Sequence, residues 1–293
     1  MSLKVNINMW IRENVVEACR RFQGSTSSLE LIGGNHEHVY SYQRDGKIYI
    51  LKLYSIAAKD PRLIEIELNW MNYLRENGLD IPRPVTSKNN HFIEMIAMLP
   101  LPFSAVSFEQ LEGEPFNLTK RSSWQDRFFR QFGQVMGKIH RLSQEFSTSC
   151  QDLDEWDEGE IYHRDFSPVS RGELKKWEQL KARIRTFPKN PESYGLIIND
   201  LRIGSCLLSR QEHFAIYDMT RIKRHWYTYD IAIALHEVRE LLQPSEYEDL
   251  FTRFLLAFIE GYRQENQLDS DQYEQIEFFI EFRRLFKELQ RWI

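Results

Sequence analysis

The chain has 293 residues, 42% hydrophobic and 28% charged, with a formal net charge of −5. That length can bury one large core or two smaller ones, and the composition excludes a disordered or fibrous chain. The negative balance offers no overall attraction to nucleic acid or to an anionic membrane, and it suits a monomer or small homo-oligomer.

The first ten residues read as lacking a signal-peptide core, and no apolar run reaches membrane-spanning length. Cys19, Cys150 and Cys206 are scattered without CxxC or metal spacing, which points to a reducing, cytoplasmic setting. Trp10, Val15, Val16 and Cys19 share one face of a helix predicted over about 8–22. Gln23 to Ser28 break that pattern. Leu29 to Tyr54 then read as strand, Gly-bearing turn, strand, Asp45-Gly46 hairpin and strand. Pro61 opens a long amphipathic helix to about Glu76, closed by Asn77-Gly78. Two more strands are expected near 92–98 and 105–108.

Beyond Gly113 helices dominate. Phe128, Phe132, Val135, Met136 and Ile139 stripe a helix over 124–143, and 174–187 reads as another. A β-rich island from Gly195 to about Tyr217 precedes a helical tail over 230–293.

Chemistry concentrates in that island. Asp200 and Asp218 each follow an apolar, strand-like run, in YGLIIND and HFAIYD. Two carboxylates at the ends of neighbouring strands suit a site where one accepts a hydroxyl proton and the other holds Mg²⁺ against ATP oxygens; the same pattern also occurs in ordinary turns. Upstream, the missing side chains of Gly33 and Gly34 let backbone amides approach phosphate oxygens. His36 and His38 have the spacing of one strand face but no third metal ligand nearby.

His163-Arg164-Asp165 imitates a kinase catalytic triplet, yet Ser170 stands where an Asn is required, so the segment is expected at most to line the acceptor side. The acidic run Asp152, Asp154, Glu155, Asp157, Glu158 and Glu160 reads either as an attractant for an amino-bearing substrate or as a soluble loop. Arg221, Lys223, Arg224 and His225 read either as a contact to ATP or an anionic acceptor, or as a solvated loop.

The order of these motifs resembles the aminoglycoside phosphotransferase and choline kinase family, including its homoserine-kinase-like members, over nearly the whole chain. The family's His-x-Asp-x-x-x-x-Asn stands as INDLRIGS, its Ile-Asp-Phe segment as IYD, its later helix-start Asp as Asp230, and its Leu-His helix end as Ile139-His140. The resemblance implies an α+β, two-lobed, protein-kinase-like fold. A small β-rich nucleotide-binding lobe would span 1–109, and a larger, mainly helical lobe 110–293.

By the same resemblance Asp200 is the catalytic carboxylate, Asp218 binds the metal, and Ser205 takes the place of the metal-binding Asn. Gly33, Gly34 and Lys52 face the phosphates, with Glu67 holding the Lys52 ammonium and Glu65 as its alternative. Phe108, Glu109 and Gln110 face the adenine edge, between apolar walls at Ile32, Val39, Ile50 and Leu207.

The implied activity is ATP- and Mg²⁺-dependent phosphorylation of a hydroxyl on a small metabolite, with no nucleic-acid or membrane partner. Ile198, Arg202 and Ser205 depart from the family pattern. They set a second expectation, a catalytically silent nucleotide-binding or interaction protein of the same fold.

Overall fold

The computed structural model describes residues 2–33, 38–97, 102–146, 153–166, 169–219, 221–243 and 247–292. Gly34, His36, Cys150 and Asp152 lie outside the described residues. The chain forms two compact units, Met1–Glu112 and Gly113–Ile293.

The first unit runs α1 (Ser2–Arg21), β1 (Ser25–Gly33), β2 (His38–Arg44), β3 (Lys47–Ser55), α2 (Pro61–Glu76), β4 (Pro84–Val85), β5 (Ile93–Ile96) and β6 (Phe103–Glu109). The strands form one antiparallel sheet in the order β1-β2-β3-β6-β4, with β5 also on β6. Positive φ at both Asp45 and Gly46 closes the β2–β3 hairpin as a two-residue turn whose twist matches its strands.

Val15, Ala18 and Cys19 of α1, with Phe22 just after it, cover one sheet face, packing on Tyr42, Leu51, Leu53 and Ala105. Strand alternation then turns Ile50 and Lys52 to the other face, where the register sets Lys52 beside Val39 and Val106. β1 begins at Ser25, ahead of the apolar start at Leu29. Its polar residues are recruited by the ladder to Gln43, whose N–H also donates to Ser28 Oγ at 2.8 Å. Asp60 caps α2 by accepting the Arg62 N–H at 2.8 Å, and Pro61 supplies the pre-set first helical residue.

The second unit runs β7 (Glu114–Pro115), α3 (Asp126–Glu145), α4 (Glu160–His163), α5 (Arg171–Ile184), β8 (Tyr194–Ile197), β9 (Cys206–Leu208), β10 (Phe214–Ile216), β11 (Lys223–Trp226), α6 (Tyr227–Leu241), α7 (Thr252–Tyr262) and α8 (Ser270–Gln290). α3 and α7 meet backbone to backbone. A Cβ on Gly261 would stand 1.8 Å from the Arg130 carbonyl oxygen, so only glycine allows the approach. An aromatic core ties α5, α6 and α8 together, with Trp177 stacked on Phe282 at 5.0 Å.

Two small sheets carry the island: β10-β9-β7, and the ribbon β11-β8. The second corrects the solvated-loop reading of the basic cluster. Lys223 to Trp226 pair antiparallel with β8, and His225 is fully buried, its ring stacked on Tyr229 at 4.0 Å. The result is a two-lobed α+β fold of protein-kinase type, a β-rich amino-terminal lobe and a helical carboxyl-terminal one.

Candidate active site

The two island sheets bring together the loops that carry the predicted carboxylates. β8 ends at Ile197, and its partner in the ribbon is Lys223, so the loop after β8 and the segment before β11 leave the same end. Cys206 pairs with Ile216, which places Ser205, just before β9, and Asp218, just after β10, at one end of the other sheet. Residues 198–205 are therefore bracketed by both sheets.

α6 pins this loop. Asp230, fully buried in its first turn, accepts the N–H of Ile198 at 3.0 Å through Oδ2 and that of Asn199 at 2.9 Å through Oδ1. Behind it, His140 Nε2 lies 3.5 Å from Asp230 Oδ2, and His140 Nδ1 lies 2.9 Å from the Tyr262 hydroxyl. Asn199 takes φ 63°, a left-handed conformation that Asn tolerates better than most residues.

Seven residues after Asp230, two helical turns on and on the same face, Glu237 receives the N–H groups of Ile203 and Gly204. Burial pushes the Glu237 carboxyl up to about 7, against the pull of Arg202 and those two donors. One helix thus holds both ends of the loop through its main chain. The buried Ile198 keeps that anchoring without an imidazole, because its contribution is a backbone N–H.

Asp200 sits in the middle of the pinned loop among three guanidinium groups. Arg283 Nη2, from α8, donates to Oδ1 at 3.0 Å; Arg221 Nη1 lies 3.3 Å from Oδ2, and Arg202 Nε 3.5 Å from Oδ1. Arg283 is itself buried, its Nη1 3.4 Å from the Tyr229 hydroxyl.

A family model described as the phosphotransferase enzyme family matches residues 28–268. The chain belongs to that family. ATP-dependent transfer of a phosphoryl group to small-molecule hydroxyls is the activity of its kinases.

The chain is similar to the amicoumacin kinase of Bacillus subtilis (strain 168), 26% identical over 265 residues that cover 87% of this chain and 77% of the relative. Among solved structures, the amicoumacin kinase hAmiN in complex with AMP-PNP, Ca²⁺ and Ami resembles it with a TM-score of 0.87 at 21% identity, over 99% of this chain and 88% of that one. The microcompartment-associated aminopropanol kinase follows with a TM-score of 0.70 at 21% identity, over 94% and 87%.

In the phosphotransferase's amino-terminal lobe, Gly33 ends β1 with open space where a Cβ would stand. The Lys52 ammonium lies 5.8 Å from the centre of the Phe108 ring. Glu67 is buried, and its carboxylate meets Lys59 at 2.7 Å, an ion pair that the sequence reading did not include. Ile50 faces Phe108 across β3 and β6, while Ile32 is half exposed. Glu109 and Gln110 are exposed; the Glu109 N–H donates to Arg83 O at 2.9 Å and the Gln110 N–H to Ile48 O at 3.4 Å.

In the carboxyl-terminal lobe Leu207 is half-buried on β9, Ser205 is buried and Asp218 half-buried. His163, Arg164 and Asp165 are all exposed.

The acidic run is largely spent on its own lobe. Glu155 takes Lys189 at 2.6 Å, Arg224 at 2.7 Å and the Tyr194 hydroxyl at 2.5 Å. Asp157 lies 3.6 Å from Arg185, and Glu160 pairs with Arg164 at 2.5 Å.

Glu237 and Arg283 were not among the residues singled out from the sequence. The first carried a usable signal, its place two turns after Asp230 on the same helix face. The second carried none, since its meaning depends on where α8 packs.

Proposed function

We propose that the chain is a cytosolic kinase that moves the γ-phosphoryl group of ATP to a hydroxyl of a small molecule, with Mg²⁺ as its ion. The observation that carries this reading is the position of Asp200. It projects from a loop whose two ends are held through main-chain N–H groups by Asp230 and Glu237, so its carboxylate is fixed despite the changes at Ile198, Arg202 and Ser205.

Asp200 accepts the hydrogen of the acceptor hydroxyl and holds its oxygen in line for attack; positioning and charge do most of the work in such transfers. Lys52 contacts the α- and β-phosphates from the face of β3 opposite α1, and Glu67, paired with Lys59, steadies that region. Gly33, with open space where a Cβ would stand, leaves room for a backbone amide to meet phosphate, and the strand end at Phe108, Glu109 and Gln110 meets the adenine.

Asp218 and Ser205 fit Mg²⁺, being a carboxylate and a hydroxyl at one end of the β9–β10 pair. Among the described residues no group of three or more His, Cys, Asp or Glu could hold a metal. When bound, that ion offsets phosphate charge. The similarity to kinases of amicoumacin and aminopropanol supports a small hydroxylated acceptor.

The test is ADP release from Mg-ATP across a panel of hydroxylated small molecules that includes amicoumacin and aminopropanol. Asp200→Asn should cut turnover on any acceptor by roughly 10²–10⁴-fold while Mg-ATP binding stays within a few-fold. Tight Mg-ATP binding with transfer to no acceptor would instead identify a silent nucleotide-binding protein.

A further inference from the structure

Beside Asp200 the carboxyl-terminal lobe holds a cavity of about 180 Å³. Drug-sized ligands occupy pockets of roughly 300–1,000 Å³, so this one takes a small molecule or one group of a larger one. Asn199 of the pinned loop, Arg221, Lys223, Tyr229 and Arg283 contribute walls, with Glu158 at the rim.

The charges of these walls do not cancel. Asp200 is matched to Arg283 at 3.0 Å and to Arg221 at 3.3 Å. Glu158 directs its carboxylate to the Glu155 N–H at 2.7 Å, and what it presents to the Lys223 ammonium is its main-chain carbonyl. Among the residues that line the cavity the cations are Arg221, Lys223 and Arg283 and the carboxylate is Glu158, while Asp154 and Asp157 act on Lys223 from outside that lining. Lys223 is half-buried on β11, and burial lowers its pKa against the opposing pull of Asp154, Glu158 and Asp157.

An arginine has five N–H donors in a planar fork. Arg221 can therefore keep Asp200 and still offer N–H groups to a second anion.

Resting on the kinase reading above, we propose that this cavity receives an anionic group, a carboxylate or a phosphate, carried by the acceptor molecule. The anion takes the Lys223 ammonium and the free edge of the Arg221 guanidinium, and this sets the acceptor hydroxyl toward Asp200. An ammonium in the same place meets like charge. Glu155, a carboxylate of the nearby acidic run, is already held by Lys189 and Arg224.

The experiment compares glycerol, glycerate and glycerol 3-phosphate, which share a hydroxylated skeleton and differ in bearing no anion, a carboxylate or a phosphate. Each is titrated calorimetrically into the nucleotide-free full chain, so the readout does not depend on turnover. At least one anion should bind about tenfold or more tightly than glycerol, a difference of about 1.4 kcal/mol. The tighter of the two identifies the group.

Lys223→Met should erase that preference and Lys223→Arg should keep it, each variant being checked for an unchanged melting temperature. Equal affinity for all three ligands overturns the proposal, as does a preference that survives Lys223→Met. An anion preference without phosphoryl transfer from Mg-ATP would leave the anion site standing and remove the kinase reading. Transfer to neutral acceptors as fast as to anionic ones would do the reverse.

Discussion

Replacing Glu237 by glutamine should remove a pH dependence from the stability of the carboxyl-terminal lobe. Glu237 lies against the 203–205 turn, accepts the N–H groups of Ile203 and Gly204, and buries Oε2 without a hydrogen-bond partner among the described residues. Burial is the largest influence and carries its pKa from 4.5 to about 7.

Between those values the folded protein keeps a proton that the unfolded chain has released. Stability from this group is therefore fully present below pH 4.5 and is lost as pH rises through 7. A shift from 4.5 to about 7 corresponds to about 3 kcal/mol of stability lost by pH 8. Glutamine keeps the shape and the accepting oxygen but cannot ionise. The stability of the wild type minus that of Glu237→Gln should fall by that amount between pH 4.5 and 8.

A lobe of this size shifts its melting temperature by roughly 2–4 °C per kcal/mol, so the gap between the two proteins should move by roughly 6–12 °C. Melting temperatures at constant ionic strength across that range read it directly. Taking the difference cancels every other titrating group. Parallel curves would refute the reasoning, and so would a wild type that gains on the variant as pH rises.

Other outcomes follow from the same geometry. Asp230→Asn keeps one acceptor for the Ile198 and Asn199 N–H groups and turns an NH₂ toward the other; it should cost about 1–3 kcal/mol in thermal or denaturant unfolding and lower turnover with it. Unchanged unfolding would mean that the loop is held by something else. Ser205→Asn should tighten Mg²⁺-dependent ATP binding, within the ~10–100-fold range that changes around a metal commonly produce. Parallel Mg²⁺ titrations of variant and wild type that superimpose would sink the assignment of Ser205. Lys52→Met should weaken ATP about tenfold or more, the loss expected for a charge-assisted contact, without altering the affinity for the acceptor. Equal ATP affinity in the two proteins would place the phosphates away from β3.

Much of the fold was legible in local chemistry. Asp45-Gly46 specified a hairpin because few dipeptides accept positive φ twice, and Pro61 after Asp60 specified a helix start because one presets φ and the other caps. The order of INDLRIGS, IYD and the Asp230 helix carried the family, which the match over residues 28–268 then established.

What the sequence left open was which distant side chain meets which. The acidic run read equally well as a lure for amines or a soluble loop until Lys189 and Arg224 were found on Glu155. The basic cluster read either as a contact to an anion or as a solvated loop, because its strand exists only through pairing with β8. Lys59 also meets Glu67, at 2.7 Å, a contact that no spacing rule picks out.

Arg283 is the clearest case. It reads as one more cation on an amphipathic tail, yet its guanidinium donates to Asp200, 83 positions earlier. Periodicity reports which face of an element turns inward, because that depends on the element's own residues. The partner across the interface is chosen by packing of the whole lobe, where burial strengthens each charge pair and leaves a misplaced charge unpaid.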